Sequence, residues 1–265
     1  MNLRLPFIKN PPLVSVVRLS GTIGMAGRAS LTDTALAPLL ERAFRRGRPA
    51  AVALEINSPG GSPVQSSLIA ARIRRLSEER KVPVIAFVED VAASGGYWLA
   101  CAAEEIWADE SSILGSIGVI SAGFGAHVFL ARQGLERRVH TAGKSKSMLD
   151  PFRPENEQDV ERLTVILNGL HGNFIDHVKA RRGARLSTRT DLFTGDIWLA
   201  GRATDLGLID GVAHLKPKMR ERFGDKVQFR RYGLRRPFWT RFGAGLAQDA
   251  IAGIEERAAY ARFGL

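Results

Sequence analysis

Short apolar runs that end in glycine-containing turns recur along the chain, and they constrain its fold more than any other feature. Residues 51–57 and 84–88 are almost continuously apolar, which is typical of strands buried on both faces of a parallel sheet. A helix-like segment follows each run, at residues 63–81 and 95–103. This alternation predicts an α/β fold in which helical crossovers join mainly parallel strands.

The remaining elements follow from the same patterns. Further strands are predicted at residues 14–19, 105–108, 118–121 and 138–142, and further helices at 32–46 and 126–133. The uncharged stretch 111–131 is long enough to span a bilayer, but serines and glycines interrupt it, so we expect a buried strand followed by a packed helix. From residue 154 an apolar stripe at steps of three and four predicts one long helix that ends at Gly183, and residues 243–265 predict a weakly amphipathic one.

A serine follows the strand at 84–88 on a turn with paired glycines. Ser94 lies in the run Ala-Ala-Ser-Gly-Gly-Tyr, where its hydroxyl is exposed and the next backbone N–H groups point to where an oxyanion would form. The segment 57–61 (Asn-Ser-Pro-Gly-Gly) ends an earlier strand and offers another exposed amide. The alternative for Ser94 is an ordinary helix N-cap, and for the glycines a tight turn.

A nucleophilic serine needs a base, and the segment 144–151 supplies lysines but no histidine. Lysine activates serine in one known variant of the nucleophile-plus-base arrangement, provided that burial or nearby positive charge lowers its pKa from about 10.4. Lys144 and Lys146 are both candidates, and either is a surface lysine in the alternative interpretation. His171 and His177 lie on the long helix, where surface or packing roles are expected, and Cys101 lies in an apolar run typical of a core. No residue cluster has metal-ligand spacing, so no cofactor is expected.

In this order, the motifs resemble the signal peptide peptidase A (protease IV) family, in its short bacterial form without an N-terminal membrane span. They are segments 57–61, 92–97 and 115–119 together with Lys146 before Pro151, and the resemblance runs from about residue 14 to about residue 212. The resemblance implies a Clp/crotonase-like spiral of β-α units with a long helical arm. It also implies a Ser94–Lys146 dyad, an oxyanion hole made by the amides of Gly61 and Gly95, and a homo-oligomeric ring in which the base comes from the same or the neighbouring subunit. Ser116 would then orient Lys146.

The charge is concentrated near the C-terminus. Of the net charge of +11, most lies beyond residue 213, where aromatic residues interleave the basic ones in 216–242. This pattern predicts either contact with an anionic membrane surface or a solvated face, and nucleic-acid binding is disfavoured because no recognition motif accompanies it. We therefore expect an N-terminal extension (1–12), a peptidase domain (13–213) and a basic C-terminal extension (214–265).

The resulting functional hypothesis is a serine endopeptidase for hydrophobic segments, such as signal peptides left in the membrane after cleavage. We expect it in the cytoplasm, peripheral to the inner membrane surface. Two alternatives come from other classes: a catalytically weak scaffold that binds membrane-protein partners, and a crotonase-like enzyme acting on acyl-CoA. Fold similarity alone does not decide between them. An acyl-CoA enzyme would keep its activity without Ser94, whereas a serine peptidase would lose it.

Overall fold

A mainly parallel sheet organises the chain, of which the computed structural model describes residues 11–24, 30–143, 145–234, 254 and 257–265. Its strands are β1 (Leu13–Ser20), β2 (Ala51–Ser58), β3 (Val84–Ala93), β4 (Glu105–Ala108), β5 (Ile113–Gly115), β6 (Ile197–Leu199), β7 (Gly211–Val212) and β8 (Gln228–Tyr232). The main path runs in the order β6-β5-β3-β2-β1-β8, while β4 pairs with β3 and with β7. Only the β5–β6 pair of these strands is antiparallel, so the predicted α/β class is confirmed.

The central strands are buried because their apolar side chains meet helices on both faces. β2 is buried along nearly its whole length and pairs in parallel with β1 on one side and β3 on the other. β3 is longer than the predicted strand at 84–88, because Val91, Ala92 and Ala93 continue the ladder against β5. This extension carries the chain directly to Ser94.

Helices cover the sheet and supply much of its core. They are α1 (Asp33–Arg45), α2 (Pro63–Arg80), α3 (Gly95–Ala100), α4 (His127–Arg132), α5 (Glu157–Arg182), α6 (Ala200–Asp205) and α7 (Leu215–Phe223), with a 3₁₀ turn at Gly183–Arg185. α2 begins where the Ser62 side chain accepts a hydrogen bond from the amide of Gln65 and Pro63 occupies the first turn, both typical of a helix start.

α5 is the long helical arm that the resemblance implied. It spans 26 residues, but only Phe174, Val178 and Arg182 are buried. Arg182 anchors its end, donating to both carboxylate oxygens of Asp210 at 2.8 and 3.2 Å. Most of the helix therefore lies on the surface of the chain.

The region between β5 and α5 differs from the sequence prediction. The predicted strand at 118–121 is wrong: the regular strand is Ile113–Gly115, and residues 116–126 form no regular element. The predicted strand at 138–142 is also absent, since this charged, exposed stretch has no neighbouring strand to pair with. α4 matches the predicted helix at 126–133, but none of its residues is buried, so it does not pack as expected.

The predicted boundary between residues 213 and 214 is not a structural boundary. β8 pairs in parallel with β1, with Phe229 opposite Val14, and the α7 residue Met219 is fully buried. Residues 214–232 are therefore part of the sheet rather than an appended extension. Of the predicted terminal helix, residues 243–253 lie outside the described part of the chain, and residues 257–261 are helical. Of the predicted N-terminal extension, residues 1–10 also lie outside it.

A search of the described helices found none that is both long enough and apolar enough to cross a membrane.

Candidate active site

Ser94 lies at the junction of β3 and α3 in an unusual backbone conformation. Its φ of 51° and ψ of −121° are strained for a residue with a side chain. Two hydrogen bonds hold it there: its amide donates to the carbonyl of Gly115 at 2.8 Å, and its carbonyl accepts from the amide of Trp98 at 3.0 Å. Ser94 occupies the N-cap position of α3, but its hydroxyl makes no capping hydrogen bond. The strained turn thus presents the hydroxyl without using it as a cap.

Two loops meet at Ser94 at a distance that only glycine permits. A Cβ atom on Gly60, whose φ is +102°, would lie 2.8 Å from the Cβ of Ser94 and 2.8 Å from the nitrogen of Gly95. A Cβ atom on Gly95 would overlap the hydroxyl oxygen of Ser66. The motifs at 57–61 and 92–97, which are far apart in sequence, are therefore packed directly against each other.

Both predicted oxyanion amides lie at this contact. Gly60 and Gly61 form a parallel bridge with Ile23, in which the amide of Ile23 donates to the Gly60 carbonyl at 2.9 Å and the amide of Ser62 donates to the Ile23 carbonyl at 2.8 Å. In the described part of the chain, the amides of Gly61 and Gly95 donate to no acceptor. Two free donors held rigidly beside a serine suit the stabilisation of developing negative charge.

A cleft of about 330 Å³ opens beside Ser94. Gly61, Gly95, Ser116, Thr194 and Gly195 are among the residues that line it. Its lining also includes five apolar side chains, which we call the apolar wall: Trp98, Val119, Ile120, Leu170 and Phe174.

Ser116 lines the same cleft on the strained segment after β5. Its φ is 51°, and its amide donates to the carbonyl of Asp196 at 2.7 Å. Ser94, Ser116, Gly61 and Gly95 therefore lie around one cleft.

The fifth predicted site residue, Lys146, is not part of this arrangement within one chain. It lies in a turn, where its amide donates to the carbonyl of Gly143 at 3.2 Å, and its side chain is exposed. Lys146 does not line the Ser94 cleft, and its ammonium group makes no hydrogen bond or ion pair with the residues that the structure describes. The rival base, Lys144, lies outside the described residues.

Two residues far from Ser94 in the sequence also line the cleft, and no sequence pattern predicted this. Arg262 and Phe263 line it, and the hydroxyl of Tyr260 donates to the carbonyl of Asn57 at 2.7 Å. Leu265 lies at a second cavity of about 470 Å³, which is bordered by carboxylates and by His214. We call residues 257–265 the C-terminal segment.

Two histidines of α5 contact the backbone beside the cleft. The Nε2 atom of His171 lies 3.1 Å from the carbonyl oxygen of Ile117, and that of His177 lies 3.1 Å from the carbonyl oxygen of Trp98. Burial lowers the pKa of His177 to about 4, so its ring is neutral near pH 7. Sequence reasoning predicted only surface or packing roles for both residues, because a histidine's backbone partner leaves no mark in the sequence.

The cysteine of the chain is a core residue. Cys101 is fully buried, and burial raises the pKa of its thiol to about 12. A neutral thiol without access to solvent cannot act as a nucleophile. In the part of the chain that the structure describes, no group of three or more His, Cys, Asp or Glu side chains is arranged to hold a metal ion.

Part of the basic segment 216–242 is engaged within the fold. Lys218 lies over the ring of Trp107 at 4.2 Å, and Arg231 pairs with Glu55 at 3.1 Å. Phe229 packs against the smaller of two apolar cores. Tyr232 packs against the larger one, while Phe238, Trp239 and Phe242 lie outside the described residues.

A family model and several known proteins match this chain. The model for peptidase family S49 matches residues 77–222, a range that contains Ser94, Ser116 and Lys146. The chain belongs to peptidase family S49. The resemblance to signal peptide peptidase A and protease IV is thereby confirmed, and Gly61 lies just before the matched range.

The relatives of this S49 chain are longer proteins. The Na(+)/H(+) antiporter NhaA of Brucella abortus is 45% identical over 95% of this chain, which spans 37% of that protein's length. Protease 4 of Haemophilus influenzae is 33% identical over 79% of this chain and 34% of its own length. The chloroplastic serine protease SPPA of Arabidopsis thaliana is 31% identical over 76% of this chain and 29% of its own. The chain thus spans about a third of each of these relatives.

Solved structures confirm the fold of the S49 chain. A serine-to-alanine variant of the 1510-N membrane-bound stomatin-specific protease matches with a TM-score of 0.53 at 16% identity, over 86% of this chain and all of that one. A lysine-to-alanine variant of the same protease, in complex with a substrate peptide, gives a TM-score of 0.53 at 15% identity, over 92% of this chain and 99% of that one. At this identity the likeness shows the fold alone, which is the Clp/crotonase-like spiral.

Proposed function

We propose that this S49 chain is a serine endopeptidase that hydrolyses peptide bonds in apolar segments such as cleaved signal peptides. One observation carries the proposal: Ser94, on a strained turn, lies beside two free backbone amides at the end of an apolar cleft. A strained backbone that the surrounding fold maintains is typical of functional sites. The apolar wall gives the reason for expecting apolar substrate residues.

The proposed reaction uses these groups together with Lys146. The Ser94 hydroxyl oxygen attacks the scissile carbonyl carbon while a neutral Lys146 takes its proton. The carbonyl oxygen becomes an oxyanion that accepts hydrogen bonds from the amides of Gly61 and Gly95. The intermediate then collapses, the C–N bond breaks, and the leaving amine receives the proton from Lys146. Water, deprotonated by the same lysine, hydrolyses the ester on Ser94 and restores the free hydroxyl.

We assign Lys146 to the site of a neighbouring subunit. Within one chain its side chain is exposed and does not line the Ser94 cleft. The surrounding segment also exposes large apolar side chains: Ile120 (66% exposed), Phe124 (94%), Phe129 (63%) and Leu135 (59%). Exposed apolar patches of this kind mark interaction surfaces. A second copy of the chain that covers them would bring Lys146 and Ser94 together across the contact, where Ser116 would orient the lysine.

Mixing two inactive variants tests this assignment. Ser94→Ala and Lys146→Ala each abolish peptide hydrolysis, because each removes one half of the catalytic pair. If the pair forms across a contact, then co-refolding the two variants in equal amounts restores about a quarter of the wild-type activity, since one contact in four joins an intact serine to an intact lysine. A mixture that stays inactive, although native mass spectrometry shows mixed oligomers, would place the base within the serine's own subunit.

Active-site labelling tests the nucleophile itself. A serine-reactive phosphonate with an apolar side chain should label the peptide that contains Ser94, as read by mass spectrometry. Lys144→Ala is the matched control and should keep most of the labelling and hydrolysis, whereas Lys146→Ala should lose both. Undiminished turnover in pure Ser94→Ala protein would end the peptidase proposal in this form.

We further propose that the protein acts from the cytoplasm and associates reversibly with anionic membrane surfaces through residues 216–242. Each Lys or Arg near such a surface contributes about 1 kcal/mol, so several exposed ones suffice for binding that weakens with salt. Arg230 and Arg231 lie on the exposed edge strand β8. Co-sedimentation with anionic vesicles at low salt should be lost when Arg230, Arg231, Arg235 and Arg236 are neutralised together. Protein that stays in the supernatant with such vesicles would disprove the membrane role.

A further inference from the structure

α5 supplies part of the apolar wall of the Ser94 cleft. Beyond that wall, the C-terminal end of the helix is held by hydrogen bonds from Arg181 to the carbonyls of Cys101 and Ala103 and by the pairing of Arg182 with Asp210. Leu170 and Phe174 project from α5 into the cleft. Only three residues of the helix are buried, and two of them, Val178 and Arg182, follow the cleft-lining turns. The position of the apolar wall relative to Ser94 therefore depends on a small number of specific contacts.

His171 and His177 provide two such contacts. They lie three residues before and three residues after Phe174, on neighbouring positions of one helix face. Each places its Nε2 atom 3.1 Å from a backbone carbonyl oxygen, of Ile117 and of Trp98 respectively. Because a carbonyl oxygen only accepts hydrogen bonds, Nε2 is the protonated nitrogen in both rings.

The two carbonyls belong to the two segments that form the serine side of the cleft. Ile117 is fully buried and lies between Ser116 and Gly118, which both line the cleft. Trp98 is in α3, and its amide donates a hydrogen bond to the carbonyl of Ser94 at 3.0 Å. His171 thus links α5 to the segment of Ser116, and His177 links it to the helix that follows Ser94.

Ring stacking reinforces the second link. The ring of Trp98 lies 4.7 Å from that of His177 at an angle of 13°, and 4.9 Å from that of Phe174 at 29°. Trp98 and Phe174 both line the cleft, so His177 contacts the aromatic wall and the backbone of the same residue at once. A displacement of this histidine would move the wall itself.

We propose that His171 and His177 are positioning residues that fix the apolar wall of α5 at a set distance from Ser94. They do not touch the reacting atoms; they determine how well the cleft holds apolar substrate residues. The inference rests on the proposed peptidase function for its kinetic consequences, while the hydrogen bonds themselves are independent of it. A change in either histidine should therefore alter substrate binding more than the chemical step.

Paired substitutions separate the hydrogen bond from the bulk of the ring. Glutamine places an N–H group near the position of Nε2 and keeps the donor, whereas leucine keeps the bulk and removes the donor. His171→Leu and His177→Leu should each raise KM for an apolar peptide about five- to tenfold with kcat within about twofold, as expected for one hydrogen bond. His171→Gln and His177→Gln should stay near wild type. His140, which is exposed, gives the matched control His140→Leu.

Two kinetic results would overturn the proposal. Equal KM values for the leucine and glutamine variants would show that the donor is irrelevant. A fall in kcat with unchanged KM would place the histidines in the chemical step instead.

Hydrogen exchange gives a readout that does not depend on peptidase activity. Loss of the donor at residue 171 should speed amide exchange in residues 116–118, and loss at residue 177 should speed it in residues 95–100. Each variant is compared with the wild type without denaturant, under conditions where the two have equal unfolding free energies. If wild-type protein hydrolyses no peptide, the proposed function fails while this measurement still tests the links. Unchanged exchange in both leucine variants would overturn the positioning role.

Discussion

Acidification should destabilise this protein through His177 at a pH where most carboxyl groups are still ionised. Burial beneath the ring of Trp98 lowers the pKa of His177 in the folded chain to about 4, whereas an unfolded histidine titrates near 6.5. The proton therefore binds more tightly to the unfolded chain. The stabilising contribution is fully present above about pH 7 and is lost as the pH falls through 6.5 towards 4.

The size of this effect follows from the two pKa values. At about pH 5 the unfolded histidine is almost fully protonated and the folded one mostly neutral, which corresponds to a loss of about 2 kcal/mol in unfolding free energy. The loss levels off at about 3 kcal/mol below pH 4. Because domains of this size are only marginally stable, with about 5–15 kcal/mol, such a loss is readily measured.

Urea unfolding followed by circular dichroism, at about pH 7.5 and about pH 5, measures this loss. His177→Gln keeps the hydrogen bond to Trp98 but cannot titrate. Between the two pH values, its unfolding free energy should therefore fall by about 2 kcal/mol less than that of the wild type. Asp33, Asp109 and Asp150 have lowered pKa values and Glu89 has a raised one, but their contributions are common to both proteins and cancel in the difference. Equal decreases in wild type and His177→Gln would refute the reasoning.

Three further predictions concern residues around the cleft. Gly95→Ala should lower kcat about a hundredfold, because the added methyl group overlaps Ser66 and displaces an oxyanion donor. Gly201→Ala is the control: a Cβ there meets nothing within 4 Å, so the peptidase assay should be unchanged. Tyr97→Phe should cost about 1–3 kcal/mol in urea unfolding, because it leaves the buried carbonyl that accepts the tyrosine hydroxyl at 2.7 Å without a donor; an unchanged unfolding midpoint would contradict this. Tyr260→Phe should lower KM for an apolar peptide about fivefold, since the C-terminal segment then competes less well for the cleft; a KM that stays at the wild-type value would show that the segment does not compete.

The parallel strands were predictable because burial on both faces leaves a continuous apolar run. Residues 14–19 and 51–57 correspond closely to β1 and β2, and residues 84–88 form the first half of β3. The edge strand β8 was not predictable, since three of its five residues are polar or charged and its partner β1 lies about two hundred residues earlier. The false strands at 118–121 and 138–142 had apolar or β-branched residues but no neighbouring edge to pair with.

The gathering of Ser94, Gly61, Gly95 and Ser116 around one cleft was predictable, whereas the position of Lys146 was not. Ser94, Gly61, Gly95 and Ser116 all lie on turns directly after strands, and parallel strands bring such turns to one edge of the sheet. Lys146 lies on an exposed stretch without regular strands or helices nearby in the chain, so no periodicity fixes where its side chain lies. Its role as base in a Ser94–Lys146 dyad stays a prediction.

The bridge between Ile23 and the loop at Gly60 and Gly61 has a consequence for how this site responds to heat and mutation. Ile23 is fully buried in the main core, and its backbone exchanges both hydrogen bonds with the loop that carries a candidate oxyanion donor. The loop that carries the donor is therefore fixed when the domain folds. Substrate binding does not have to order this loop, so it carries no entropic cost for doing so. Removing the buried Ile23 side chain, as in Ile23→Ala, should therefore slow turnover at temperatures well below the melting transition.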